Sequence, residues 1–145
     1  MKMTSILAVT LLVCCQFAYA QTCPTVQDIK TKTLTGWKAY DSDDNQALAA
    51  DREAQFKKGV EEFALAEWRP TDNKHGAVHC YYRDKTGSDL EAYLSNDNLI
   101  PLKEHSYWYQ VTGFMHCAAG MEQCQFKQSA QPAQFAKTET AKKVS

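Results

Sequence analysis

The sequence predicts an α+β domain: an antiparallel sheet of about five strands with one or two helices packed on one face, stapled by disulfides. Three observations carry this expectation. Runs rich in β-branched and aromatic residues recur between turn clusters, most clearly Gly76 to Tyr82 and the run that returns after Asp84-Lys85-Thr86-Gly87. One stretch, 45–58, is rich in Ala, Glu, Gln and Lys and has the composition of a helix. The chain holds six cysteines, and its first residues have the pattern of an export signal, which places those cysteines where thiols oxidise. An all-β sandwich is the architectural alternative, and the turn pattern does not separate the two.

The leader comes first. Lys2 supplies a short positive region, Ile6 to Val13 an apolar core continued through Cys14, Cys15 and Phe17, and Ala18-Tyr19-Ala20 the small residues that a signal peptidase reads. The expected cut follows Ala20. The apolar run is too short for a membrane anchor, which needs roughly 20 apolar residues. Leu11-Leu12-Val13-Cys14 approximates a lipidation site, but Val13 is large where a small residue is required. The expected organisation is therefore a signal peptide at 1–20, one exported globular domain at 21–127 and a flexible tail at 128–145. The destination is the periplasm or the exterior. Removal of Lys2 leaves 15 basic and 17 acidic residues. That balance argues against a nucleic-acid partner, and no second apolar stretch predicts an integral membrane segment.

Along the mature chain, Cys23 to Lys30 starts a short helix, since proline is tolerated in a first turn. Thr31 to Tyr40 reads as extended, with a bend at Gly36 and Trp37 as a core anchor. Asp41 to Gln46 is a polar loop leading into the helical stretch. Phe63 to Trp68 either prolongs that helix or forms a strand; the break at Gly59 and the stop at Arg69-Pro70 favour the strand. In the run after the 84–87 turn, Leu90, Ala92 and Leu94 point inward, and Asp89, Glu91, Tyr93 and Ser95 point outward. Ile100-Pro101-Leu102 reads as an apolar connector, Tyr107 to Met115 as an extended run interrupted at Gly113, and Cys124 to Lys127 as a short last strand.

Cys14 and Cys15 leave with the signal peptide, so the mature framework is Cys23, Cys80, Cys117 and Cys124, which allow three pairings. If Cys117 and Cys124 flank a hairpin, their bond closes a short loop, and Cys23 with Cys80 then staples the N-terminal segment to a central strand. Such links stabilise by roughly 2–3 and 3–4 kcal/mol respectively. Crossed pairings stay open. A four-cysteine zinc site is disfavoured by the absence of a Cys-x2-Cys knuckle.

No catalytic or metal-binding constellation assembles from the sequence. His75 and His79 have ligand-like spacing but lack the Glu of a zinc helix, and His105 and His116 add no motif. His79 and His116 each precede a cysteine, so they would cluster if those two strands paired. Asp41, Asp43 and Asn45 match the start of a calcium loop, but Gln46 and Arg52 stand where the turn glycine and the bidentate glutamate belong. There is no nucleophile elbow, redox cysteine pair or phosphate-cradling loop, and carboxylates such as Glu61, Glu62, Glu67, Asp89 and Glu91 are abundant without forming a recognisable pair. No cofactor is expected.

The aromatic residues carry more information. Strand alternation puts Tyr81 and Tyr82 on opposite faces, and likewise Trp108 and Tyr109. Tyr82, Trp108 and Tyr109 are the candidate binding residues, for a protein or peptide partner.

Cys23-Pro24, Asp28-Ile29, Gly36-Trp37, Phe63-x-x-Ala66-x-Trp68 or the overlapping Phe63-Ala64, and Cys80-x-Tyr82 together resemble a family of small exported gammaproteobacterial proteins of unknown function, of the Legionella and Coxiella type. The similar region runs from Cys23 to about Leu94, or as far as Phe126. The resemblance implies a single periplasmic or secreted domain with Cys23 linked to Cys80, and it carries over no catalytic residue. The expected function is a non-enzymatic binding or accessory role through an aromatic-bearing sheet. The alternatives are a small exported hydrolase using a His/carboxylate site, or a secreted factor acting on a host or competitor protein.

Overall fold

The computed structural model describes residues 19–72, 74–104 and 107–129. The expected signal peptide, apart from its last two residues, His105, and the tail from 130 onward lie outside the described residues. Within them the chain forms α1 (Val26–Thr31), β1 (Lys38–Asp41), α2 (Ala50–Gly59), β2 (Glu62–Pro70), β3 (Gly76–Arg83), β4 (Asp89–Asn96), β5 (Leu99–Pro101), β6 (Tyr109–Val111), β7 (Phe114–Cys117), a 3-10 turn (Met121–Gln123) and β8 (Phe126–Gln128). This is the α+β architecture read from the sequence. The main sheet is antiparallel, with six strands in the order β1-β4-β3-β2-β7-β6, and β5 and β8 form a separate two-stranded sheet.

Local chemistry sets each element. Thr25 caps α1 by accepting a hydrogen bond from the Asp28 amide at 3.0 Å. In α2, Asp51 and Glu53 occupy the first turn and Lys57 and Lys58 the last, which matches the helix dipole. The segment 63–68 is strand. The turn at 84–87 closes as its residues demand: the Asp84 carboxylate accepts from the Thr86 amide at 2.8 Å, and Gly87 takes φ +79°, where a side chain would be strained.

One face of the main sheet is the core face. Both helices lie there: Phe56 of α2 meets the Tyr82 ring edge-on, with centroids 6.4 Å apart, and Cys23, just before α1, is bonded to Cys80. Ala39, Ala66, Trp68, Val78, Leu94 and Cys117 share this buried cluster. A bulge between Phe63 and Leu65 inserts Ala64 into β2. The extra residue shifts the alternation, so Phe63 lies on the same side as Ala66 and Trp68 and packs on Tyr82. The small sheet closes one end of the core, where the Trp68 indole donates to the Leu99 carbonyl at 2.8 Å and Trp37 packs edge-on against Phe126.

The disulfides are Cys23–Cys80 and Cys117–Cys124. Several expectations change. Ile100-Pro101 is not a mere connector: Leu99–Pro101 pairs with β8, because Leu99 and Phe126 each gain complete burial by doing so. The helix starts at Ala50, since Ala47 and Leu48 are tied to β1 by the Tyr40–Ala47 bridge and the Leu48 amide bond to the Ala39 carbonyl, and Ala49 is extended. Tyr93 and Ser95 lie opposite Leu94 as expected, yet both are buried. The 41–48 loop reaches across here, and the Tyr93 hydroxyl donates to Asn45 Oδ1 at 3.0 Å. The globular part also runs slightly past 127, because β8 includes Gln128 and Ser129 donates through both its amide and its hydroxyl to the Asn98 carbonyl.

Candidate binding face

Alternation sends Tyr81 and His79 away from the helices, onto the second face of the main sheet. Three cross-strand rows organise it. The central row crosses all six strands: Lys38 pairs with Ser95, Ser95 with His79, His79 with Glu67, Glu67 with His116, and His116 with Tyr109. On one side runs an aromatic row, in which Tyr40 stacks on Tyr93 at 5.8 Å and Tyr93 meets Tyr81 at 5.3 Å. On the other side lie Arg69 and Phe114, with the guanidinium 5.7 Å from the ring centroid.

Glu67 is the hub. It sits mid-strand and is only 5% exposed, so its charge requires partners. Arg69 Nε donates to Oε1, His116 Nε2 donates to Oε2 at 2.8 Å, and the Tyr81 hydroxyl lies 3.4 Å from Oε1. Burial pushes this carboxyl upward, but the bonds from Arg69 and His116 more than offset it and hold it below the ordinary carboxylate range. His79 stands on the other side of Glu67, with Nδ1 3.7 Å from Oε1, beyond hydrogen-bond reach, and stacks on Tyr93 at 4.5 Å. Its Nδ1 is buried without a hydrogen-bond partner among the described residues. Burial first, and the Arg69 charge second, depress its pKa from 6.5 to about 4, so the ring is neutral at ordinary pH.

The sequence-derived binding rings separate sharply. Tyr109 is 50% exposed at the end of the central row. Tyr82 is 1% exposed; its ring fills the core between Phe56 and Phe63, and its hydroxyl donates to the Pro24 carbonyl at 2.7 Å. Trp108 is 7% exposed, and its indole donates to the Gln125 carbonyl. For both, the opposite member of the dipeptide takes the outward face, so neither ring is offered to a partner. Cys23, Cys80, Cys117 and Cys124 are all buried staples.

His79 and His116 do approach one region, although not because their strands pair: β2 intervenes and places Glu67 between them. His75 does not join them, since its ring lies 2.8 Å from Asp72. Among the described residues no group of three or more metal-ligating side chains assembles. Asp41 is occupied by the Asp43 amide and by Arg52, as befits a self-satisfied loop. Neither Glu67 nor Arg69 belongs to a motif that marks it as a site in the sequence. The available signal was a lone carboxylate inside the apolar run Ala64-Leu65-Ala66-Glu67-Trp68. No helix among the described residues is long and apolar enough to cross a membrane.

No curated protein and no solved structure matches the chain. A family model does match, over residues 18–127, under the description "protein of unknown function (DUF3757)". That span takes in both helices, both disulfides and the whole six-stranded sheet. The chain belongs to the DUF3757 family of proteins of unknown function.

Proposed function

We propose that this protein is an exported, non-enzymatic binding or accessory domain that engages a protein or peptide partner through the helix-free face of its main sheet. One observation carries the reading. That face holds a continuous band of rings and fixed polar groups, ending in the half-exposed Tyr109, while the described helices cover only the other face. Aromatic rings with a polar handle are the residues that dominate partner binding. Export to the periplasm or the exterior rests on the leader pattern and on two disulfides of the kind that persist in oxidising compartments.

A photo-crosslinking residue placed at position 109 or 116 should capture a partner in the native compartment. The same residue at Gln55, on the helix side, should not. Capture at Gln55 alone would sink the proposal. Intact mass of the exported protein tests its address: a start at Gln21 and a mass four protons below the fully reduced chain are expected.

The hydrolase reading takes support from the 2.8 Å contact between His116 and Glu67, a histidine and carboxylate within hydrogen-bond reach. Weighing against it, both oxygens of Glu67 are engaged, and Ser95 and His79, which face each other across β3 and β4, are both buried from a substrate. Turnover of simple chromogenic esters that vanishes in His116→Ala would favour that reading. A secreted factor acting on a host or competitor protein would use the same binding face.

A further inference from the structure

Arg69 differs from an ordinary surface arginine. Its Nε is committed to Glu67, a buried carboxylate at the centre of the sheet. Its guanidinium lies over the Phe114 ring at 5.7 Å. Both contacts fix the plane of the group, so the rotamer entropy that a long side chain loses on binding is already spent in the fold. The bond through Nε leaves Nη1 and Nη2, the end of the fork, without a partner among the described residues, on a side chain 49% exposed. Its neighbours on β3 and β7 in this part of the face are the small Ala77 and Phe114, so nothing bulky from β3 crowds the fork. The only carboxylate of the central row, Glu67, is internal and has its two oxygens engaged by Arg69 and His116. The donors at the end of the fork therefore stay unengaged among the described residues, next to an apolar ring.

We infer that Arg69 is the anion-recognising element of this face and takes a carboxylate of a bound peptide, an aspartate or glutamate flanked by aromatic or large apolar side chains. This deepens the binding role proposed above and rests on it. A guanidinium fork accepts the two oxygens of a carboxylate in two parallel N–H···O bonds. The flanking side chains of an extended peptide would lie along the rings on either side, over Phe114 and toward Tyr109. The pinned fork supplies specificity and the rings supply buried area.

The probe is a pair of capped peptides, acetyl-Tyr-Asp-Tyr-amide and acetyl-Tyr-Asn-Tyr-amide, titrated into the oxidised domain and followed by amide and Arg Nε–H NMR shifts. The aspartate peptide should shift Arg69 Nε–H and the amides of 67–69 and 114–116 in a saturable way. The asparagine peptide should bind about tenfold more weakly, and added salt should narrow that difference. Arg69→Gln should lose the preference, and Arg69→Lys, which keeps the charge but not the fork, should lose most of it. Equal binding of both peptides at these residues would overturn the anion assignment while leaving the aromatic face as a binding surface. Shifts from neither peptide, in a domain whose spectrum shows it folded, would overturn both.

Discussion

At the scale of the residue, the buried polar row sets how the protein responds to acid. His79 is neutral in the folded chain because burial depresses its pKa from 6.5 to about 4. Below pH 6.5 the unfolded chain takes up a proton there that the folded chain refuses. Stability is thus fully present above 6.5 and is lost as pH falls toward 4, by on the order of 2–3 kcal/mol. Urea titrations across that window should show the loss, and His79→Phe, which keeps a ring against Tyr93, should flatten it. A wild-type midpoint independent of pH between 6.5 and 4 would refute the assignment. The neighbouring dipeptides divide folding from binding in the same way. Tyr82→Phe removes the hydroxyl bonded to the Pro24 carbonyl and should cost about 1 kcal/mol, leaving partner capture unchanged. Tyr109→Ser should do the reverse, weakening capture with stability within about 0.5 kcal/mol of wild type.

At the scale of the element, the two staples do different work. Cys23–Cys80 spans 57 residues and Cys117–Cys124 spans 7. The chain-entropy relation gives about 4 kcal/mol for the first loop and about 2 for the second. Replacing Cys23 and Cys80 together with alanine should therefore lower the urea midpoint more than replacing Cys117 and Cys124, with α1 released from the sheet in the first case. Equal losses would mean that local packing, not loop length, governs both. The elements that could be read from sequence were those with a complete local cause. Gly76 to Tyr82 and its returning strand combine alternation with an Asp-x-Thr-Gly turn, and Gly59 stops the helix before β2. Strands β5 and β8 had no such cause: each is three residues long, and Pro101 argues locally against a strand. They exist because pairing buries Leu99 and Phe126. The Ala64 bulge was equally invisible, since a single extra residue leaves no compositional trace. The site was half legible. The histidines drew notice for their spacing, whereas Glu67 was one carboxylate among many until the register placed it between them.

At the scale of the whole molecule, the fold is asymmetric about its main sheet. Helices, staples and the small sheet stabilise the core face, while the opposite face is held by its own rings and by the Glu67 network. β3 lies between β2 and β4 and carries Cys80, so its amides are bonded on both sides and crosslinked to the N-terminal segment. β6 is an edge strand of three residues that, among the described residues, pairs only with β7. The helix-free face therefore grades from rigid at His79 to loosely held at Tyr109. Hydrogen exchange should show this gradient: the β3 amides should open only with global unfolding, while those of β6 exchange faster by at least about a hundredfold, an opening cheaper by about 3 kcal/mol. Reduction of Cys117–Cys124 should loosen β7 and steepen the gradient, leaving β3 unaffected. A partner that docks on the outer rows should raise β6 protection toward that of β3, because its binding would couple the edge to the centre. Uniform exchange across the six strands would show that the sheet opens as one unit, and that the face gains no order from a partner at its edge.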